Sequence, residues 1–165
     1  NPVTSADKPI LTDDEINSYA EKFKDKDNAD SIVEMINSGE LSSENIVEIV
    51  KKVNESGESF AWVFDGKNEV TEAITTALIE QASNGNTTAL ELLCKELYSA
   101  TAGRWETADD YLKCLFDKAD DSVMSAIVAN YNNITSSDLV KDIRNDYQFD
   151  IAQGSYYLYK INQAK

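Results

Sequence analysis

Glu106, Asp109, Asp110, Asp117, Asp120 and Asp121 crowd one stretch of the chain, with only Lys113 and Lys118 between them. Carboxylates at that density have three uses: to hold a cation, to flank a bond being hydrolysed, or to present a negative face to a basic partner. Each use makes its own demands on the sequence. The nearest match to a calcium loop is Asp25-Lys26-Asp27-Asn28-Ala29-Asp30, with two alternating aspartates and Ile32 at the apolar eighth position. The loop needs an oxygen ligand at position five, glycine at six and a bidentate carboxylate at twelve, and this chain has Ala29, Asp30 and Ile36 there. Asp117 to Asp121 likewise lacks the glycine and the closing acid. Hydrolysis by carboxylates alone needs two acids across a cleft, one raised in pKa by apolar surroundings. Glu106 beside Trp105 is the best single candidate, and no second acid is singled out as its partner. On the third use there are two readings: acids in the first turns of helices are stabilised by the free amides there, or the same six residues are a candidate contact surface for a basic partner.

Thirty Asp and Glu against fifteen Lys and Arg give a formal charge of -15, with no histidine in the chain. Without histidine, the Ser-His-Asp and Cys-His nucleophile arrangements and His-containing zinc sites are excluded. The six glycines, Gly39, Gly57, Gly66, Gly85, Gly103 and Gly154, are isolated from one another, so no phosphate-binding loop is read. No cofactor is expected. The negative field opposes nucleic-acid phosphate and anionic membrane surfaces, and attracts a protein with a basic patch. No stretch approaches the roughly twenty apolar residues of a membrane-spanning helix, so integral membrane association is not expected.

With 165 residues and 42% apolar side chains, one domain with a single core is the expectation. Residues 1–11, holding both prolines, read as a flexible lead-in to a domain over 12–165; a start at Asn1 rather than Met favours export slightly. Cys94 and Cys114 fall on apolar helical faces, where buried thiols are commoner than a bridge. From Leu11 onward the apolar residues recur at three- and four-residue spacing, which predicts an all-α fold of about ten short helices and no sheet of three or more strands. The first spans 12–24 and opens with the capping box Thr12-Asp13-Asp14-Glu15. A second carries Ile32, Val33, Met35 and Ile36 and stops at Gly39, and a third starts at Ser42 with Leu41 packed on Ile46. Phe60 to Phe64 is apolar all round and, with no strand to pair with, is read as helix. Others follow over 69–83, 87–100, 107–117, 120–131, 135–146 and 148–163, the ninth opening with the box Thr135-Ser136-Ser137-Asp138. Trp62 and the late aromatics Tyr147, Phe149, Tyr156, Tyr157 and Tyr159 suit either the core or a recognition surface.

Sliding the chain by 77 to 79 residues superimposes many apolar positions: Ile46, Ile49, Val50 and Val53 fall on Met124, Ile127, Val128 and Tyr131, for example. Two related five-helix units, 28–82 and 107–161, are the implied arrangement. A five-helix unit of this length resembles the annexin repeat, and Ile36-Asn37-Ser38-Gly39-Glu40-Leu41-Ser42-Ser43-Glu44 sits where that family has its calcium loop. The resemblance implies the architecture and a peripheral, cation-assisted attachment to a surface or membrane. The chain departs from that loop at Leu41, which stands in place of the second glycine, and Asp117-Lys118-Ala119-Asp120 has no glycine. The expected function is a non-catalytic acidic interaction domain that binds a basic protein; the alternatives are the annexin-like surface binder and a carboxylate-only hydrolase.

Overall fold

A computed structural model describes residues 10–102 and 106–165. These residues form ten α-helices and one short 3-10 turn, with no strand among them. The fold is all-α, as the spacing predicts. The helices are α1 (Asp13–Lys22), α2 (Ala29–Asn37), α3 (Ser43–Glu55), α4 (Phe60–Val63), α5 (Asn68–Ser83), α6 (Thr87–Thr101), α7 (Asp109–Lys118), α8 (Asp121–Thr135), α9 (Leu139–Asp146) and α10 (Ile151–Gln163).

Local chemistry sets most boundaries. The Thr12 hydroxyl accepts from the Glu15 amide and the Glu15 carboxylate from the Thr12 amide, closing the expected box at α1. Ser42 exchanges the same pair of bonds with Asn45 at α3. After α2 the chain reverses through Gly39 at φ +81°, and the Leu41 amide donates to the Met35 carbonyl while the Leu41 side chain enters the core. Leu41, the residue that breaks the resemblance to a calcium loop, therefore anchors a helix end.

Three expected starts move. The helix expected over 135–146 begins at Leu139: Thr135 still belongs to α8, its hydroxyl donating back to the Tyr131 carbonyl. Ser136, at φ +60°, ends α8, and Asp138 caps α9 by accepting from the Lys141 amide. α7 begins at Asp109 rather than 107, because the Thr107 hydroxyl is turned to Asp146 instead of capping. α10 begins at Ile151 rather than 148, capped by Asp150. The 3-10 turn Lys26–Asn28 was not anticipated; Asp25, the first residue of the tested calcium loop, caps it by accepting from the Asp27 amide.

The core lies around the α5–α6 hairpin. α5 packs on α2, α3, α6 and α7, while α6 packs on α3, α4, α8 and α9. Ile74 and Leu78 of α5 and Leu93, Cys94 and Leu97 of α6 are fully buried, each large aliphatic contributing about 1.5–3 kcal/mol. Tyr111 closes the space between α7 and α4, its ring edge-on to Phe60 at 5.4 Å and its hydroxyl donating to the Leu93 carbonyl at 2.7 Å. Leu11, at the end of the expected lead-in, packs against the core. The segments 28–82 and 107–161 each hold four α-helices, α2 to α5 and α7 to α10, rather than the five expected. In the first, α5 lies against α2 and α3; in the second, α10 lies against α9 and α8. Both cysteines are buried and free, and burial pushes their thiols up, Cys94 to about 12 and Cys114 to about 11.

Candidate functional site

The six acids singled out in the sequence are strung along α7 and the start of α8, and four of them are engaged within the molecule. Asp109 accepts from the Tyr147 hydroxyl at 2.6 Å, and Asp110 from the Gly66 amide at 2.8 Å in the loop between α4 and α5. Asp117 accepts from the Tyr156 hydroxyl of α10 at 2.7 Å. Asp120 caps α8 through the Val123 amide and also accepts from the Ser83 hydroxyl. Glu106 and Asp121 are exposed, with no hydrogen bond to another described residue. The ten residues of α7 span roughly 15 Å, so the pairs at its two ends do not converge on a point. Trp105, the aromatic wall proposed beside Glu106, lies outside the described residues, as do Gly103, Arg104 and most of the lead-in. Among the described residues, no three acids or thiols gather as a metal would require.

Phenol-to-carboxylate bonds recur. Besides Tyr147 with Asp109 and Tyr156 with Asp117, Tyr131 donates to Asp142 at 2.7 Å and Tyr19 to Glu40 at 3.1 Å. Salt bridges are few. Among the described residues they are Lys24 with Glu21, Lys52 with Glu55, and Lys118 with Glu72.

Two groups of chemical interest carried no weight in the sequence. Glu96 of α6 is 1% exposed. Its carboxylate accepts from the Asn54 amide group at 2.8 Å, from the Ser59 hydroxyl, and from the backbone amides of Phe60 and Ala61. Burial raises its pKa, and these four donors favour the charged form and pull the other way. The arrangement closes on itself: the Glu96 side chain caps the short α4 and ties the end of α3 to α6. The second group is Asp146, half-buried at the end of α9, with the Thr107 hydroxyl donating to it at 2.8 Å. Partial burial and the charges of Asp142 and Asp109 push it up to about 6.

Concave surfaces of similar volume, about 590 and 540 Å³, lie between α2 and α5 and among α8, α9 and α10, the second with Arg144 and Lys165 in its lining. Between α2 and α5 runs a groove of about 590 Å³ whose floor is Val33, Ile36, Ala73 and Ala77 and whose rim carries Glu69, Glu72 and Glu80; no lysine or arginine lines it. Val33 and Ile36 are half-buried and form part of this floor. Glu69 and Glu80 are exposed. Glu72 receives Lys118 of α7 at 3.4 Å. A smaller concavity between α9 and α10, about 360 Å³, has Arg144 and Lys165 beside Val140, Leu158 and Tyr159. Of the late aromatics, Tyr147 and Tyr157 are buried, whereas Phe149 is 94% and Tyr159 61% exposed. Trp62 is half-buried, its indole N–H donating to the Ser99 carbonyl. No helix among the described residues is long and apolar enough to cross a membrane.

Compared with protein-family models, with curated proteins and with solved structures, the chain has no match.

Proposed function

We propose that the chain is a non-catalytic interaction domain that binds a protein bearing a basic patch. The observation that carries this reading is the way the charge is left over. Acids outnumber bases two to one, and the described residues pair only three of them in salt bridges. Where the remaining acids need a donor, neutral phenols, hydroxyls and backbone amides supply it, so the negative field outside is undiminished. Such a field accelerates encounter with a cationic surface and opposes acidic ones. Within the segment 106–121, Glu106 and Asp121 are the residues that offer their charge outward; Asp109, Asp110, Asp117 and Asp120 add to the field while holding internal bonds.

Charge-led recognition has a kinetic signature, since screening shortens from roughly 14 Å to 4 Å between about 0.05 and 0.5 M salt. Proteins captured from the native host at low salt are identified, and their association rates with the purified chain are measured across that range. The association rate is expected to fall by about tenfold or more, and to fall less steeply with the combined variant Glu106→Gln and Asp121→Asn. Partners that are acidic, or whose association rate is flat across the salt series, would refute this reading.

A further inference from the structure

We infer that the groove between α2 and α5 is the seat for a basic amphipathic helix of the partner. This rests on the basic-partner reading above and adds to it the place and the form of the bound segment. The groove combines two properties that exposed helix faces normally keep apart. Its floor carries an apolar strip, Val33 and Ile36 from α2 facing Ala73 and Ala77 from α5, with Asn37, Ser43 and Thr76 beside it. Its rim along α5 is acidic, with Glu69, Glu72 and Glu80. A surface that was merely solvated would show the acids without the concavity, and a surface awaiting another part of this chain's own core would show the concavity without the acids.

The dimensions favour a helix. Glu69 and Glu80 are eleven residues apart on one continuous α-helix, so the rim runs for roughly 16 Å, or three turns. Ala73 and Ala77 sit one turn apart at the bottom, and their small side chains let another backbone approach closely. An occupant with apolar side chains at i, i+3, i+4 and i+7 fills the floor, and lysines or arginines flanking that stripe meet the rim. The molecule already shows the polar half of this contact. Lys118 reaches from α7 to Glu72 at 3.4 Å, the position a partner's ammonium would take at that point of the rim.

The test uses a synthetic 14-residue helix of leucine and lysine in the amphipathic pattern, with a scrambled peptide of the same composition as control. Backbone amide shifts of the isotopically labelled full chain map where each binds at low salt. The amphipathic peptide is expected to bind at least tenfold tighter than the scrambled one, with shifts concentrated on residues 33–37 and 69–80. Combining Glu69→Gln, Glu72→Gln and Glu80→Gln is expected to weaken it tenfold or more. These side chains lie at the surface, and an otherwise unchanged amide spectrum verifies the fold. Lys118→Ala, which removes the internal competitor, is expected to tighten binding more than Lys113→Ala, which removes the same charge elsewhere on α7. Equal binding of the two peptides, shifts mapping to α7 and α8, or no effect of the triple substitution would overturn the groove while leaving the basic-partner reading in place. Binding of neither peptide would overturn both. Sedimentation of the unliganded chain as a dimer that the triple substitution dissociates would assign the groove to a second copy and overturn the partner helix.

Discussion

Asp146→Asn is expected to stabilise the protein above pH 6 and to leave it nearly unchanged near pH 4. The carboxyl sits at about 6 in the folded chain against 3.8 for an ordinary aspartate, partial burial being the main cause and the Asp142 and Asp109 charges adding to it. Below pH 3.8 the group is protonated folded or unfolded and contributes nothing. Between 3.8 and about 6 the folded chain binds a proton that the unfolded chain has released, so stability falls as pH rises through this window. Above it the cost is complete. Without screening, the displacement from 3.8 to about 6 corresponds to about 3 kcal/mol, at 1.36 kcal/mol per tenfold change in proton affinity. Asp146 is only half-buried, and solvent screening reduces the figure to about 1 kcal/mol. Asparagine keeps an oxygen for the Thr107 hydroxyl and carries no charge. Urea unfolding at about pH 4.5 and 7.5 reads the difference, since 1 kcal/mol moves the midpoint by about 0.5 M for a chain of this size. Glu91→Gln, at an exposed position on α6, measures the general relief of repulsion to be subtracted. A substitution that shifts the midpoint equally at both pH values would refute the argument.

Glu96→Ala is expected to cost about 3 kcal/mol or more, because it orphans Ser59 and two backbone amides together and leaves the Asn54 amide group only its bond to the Glu58 carbonyl, and a loss under 1 kcal/mol in the same urea assay would show that water replaces the carboxylate. Gly154→Ala places a Cβ 2.7 Å from that of Tyr147, so a loss of about 1–3 kcal/mol is expected despite the gain in helix propensity; a neutral or higher melting temperature would mean that α10 shifts freely. Both thiols should resist a colour-forming disulfide reagent at pH 8 and react fully in denaturant, since burial holds Cys94 near 12 and Cys114 near 11; rapid labelling of the native chain would contradict the packing.

What could be read in advance divides by the distance over which each determinant acts. The Thr12 and Glu15 box and the Leu41 and Ser42 start are decided within five residues, and the chain displays them openly. The end of α8 is decided by Ser136 adopting a left-handed conformation, which serine seldom takes, and the start of α7 by Thr107 choosing Asp146 from far along the chain. Neither leaves a local mark. Glu96 did leave one: it lies in the apolar series Ala89, Leu92, Leu93, Leu97 and Ala100, where a carboxylate has no place unless donors await it. The groove was hidden for another reason. Glu69, Glu72 and Glu80 read as an ordinary solvated helix face until α2 is laid beside them, and concavity belongs to the pair of helices rather than to either one.

The bonds from Tyr19, Tyr131, Tyr147 and Tyr156 to carboxylates have a further consequence. A phenol fastens an acid without cancelling its charge, and a short bond to a neutral donor is little affected by dissolved ions. Cohesion and field are therefore separate properties of this chain, held by different atoms. Over generations, surface lysines and glutamates can be exchanged to retune what the molecule attracts, while the tyrosines keep its helices in place.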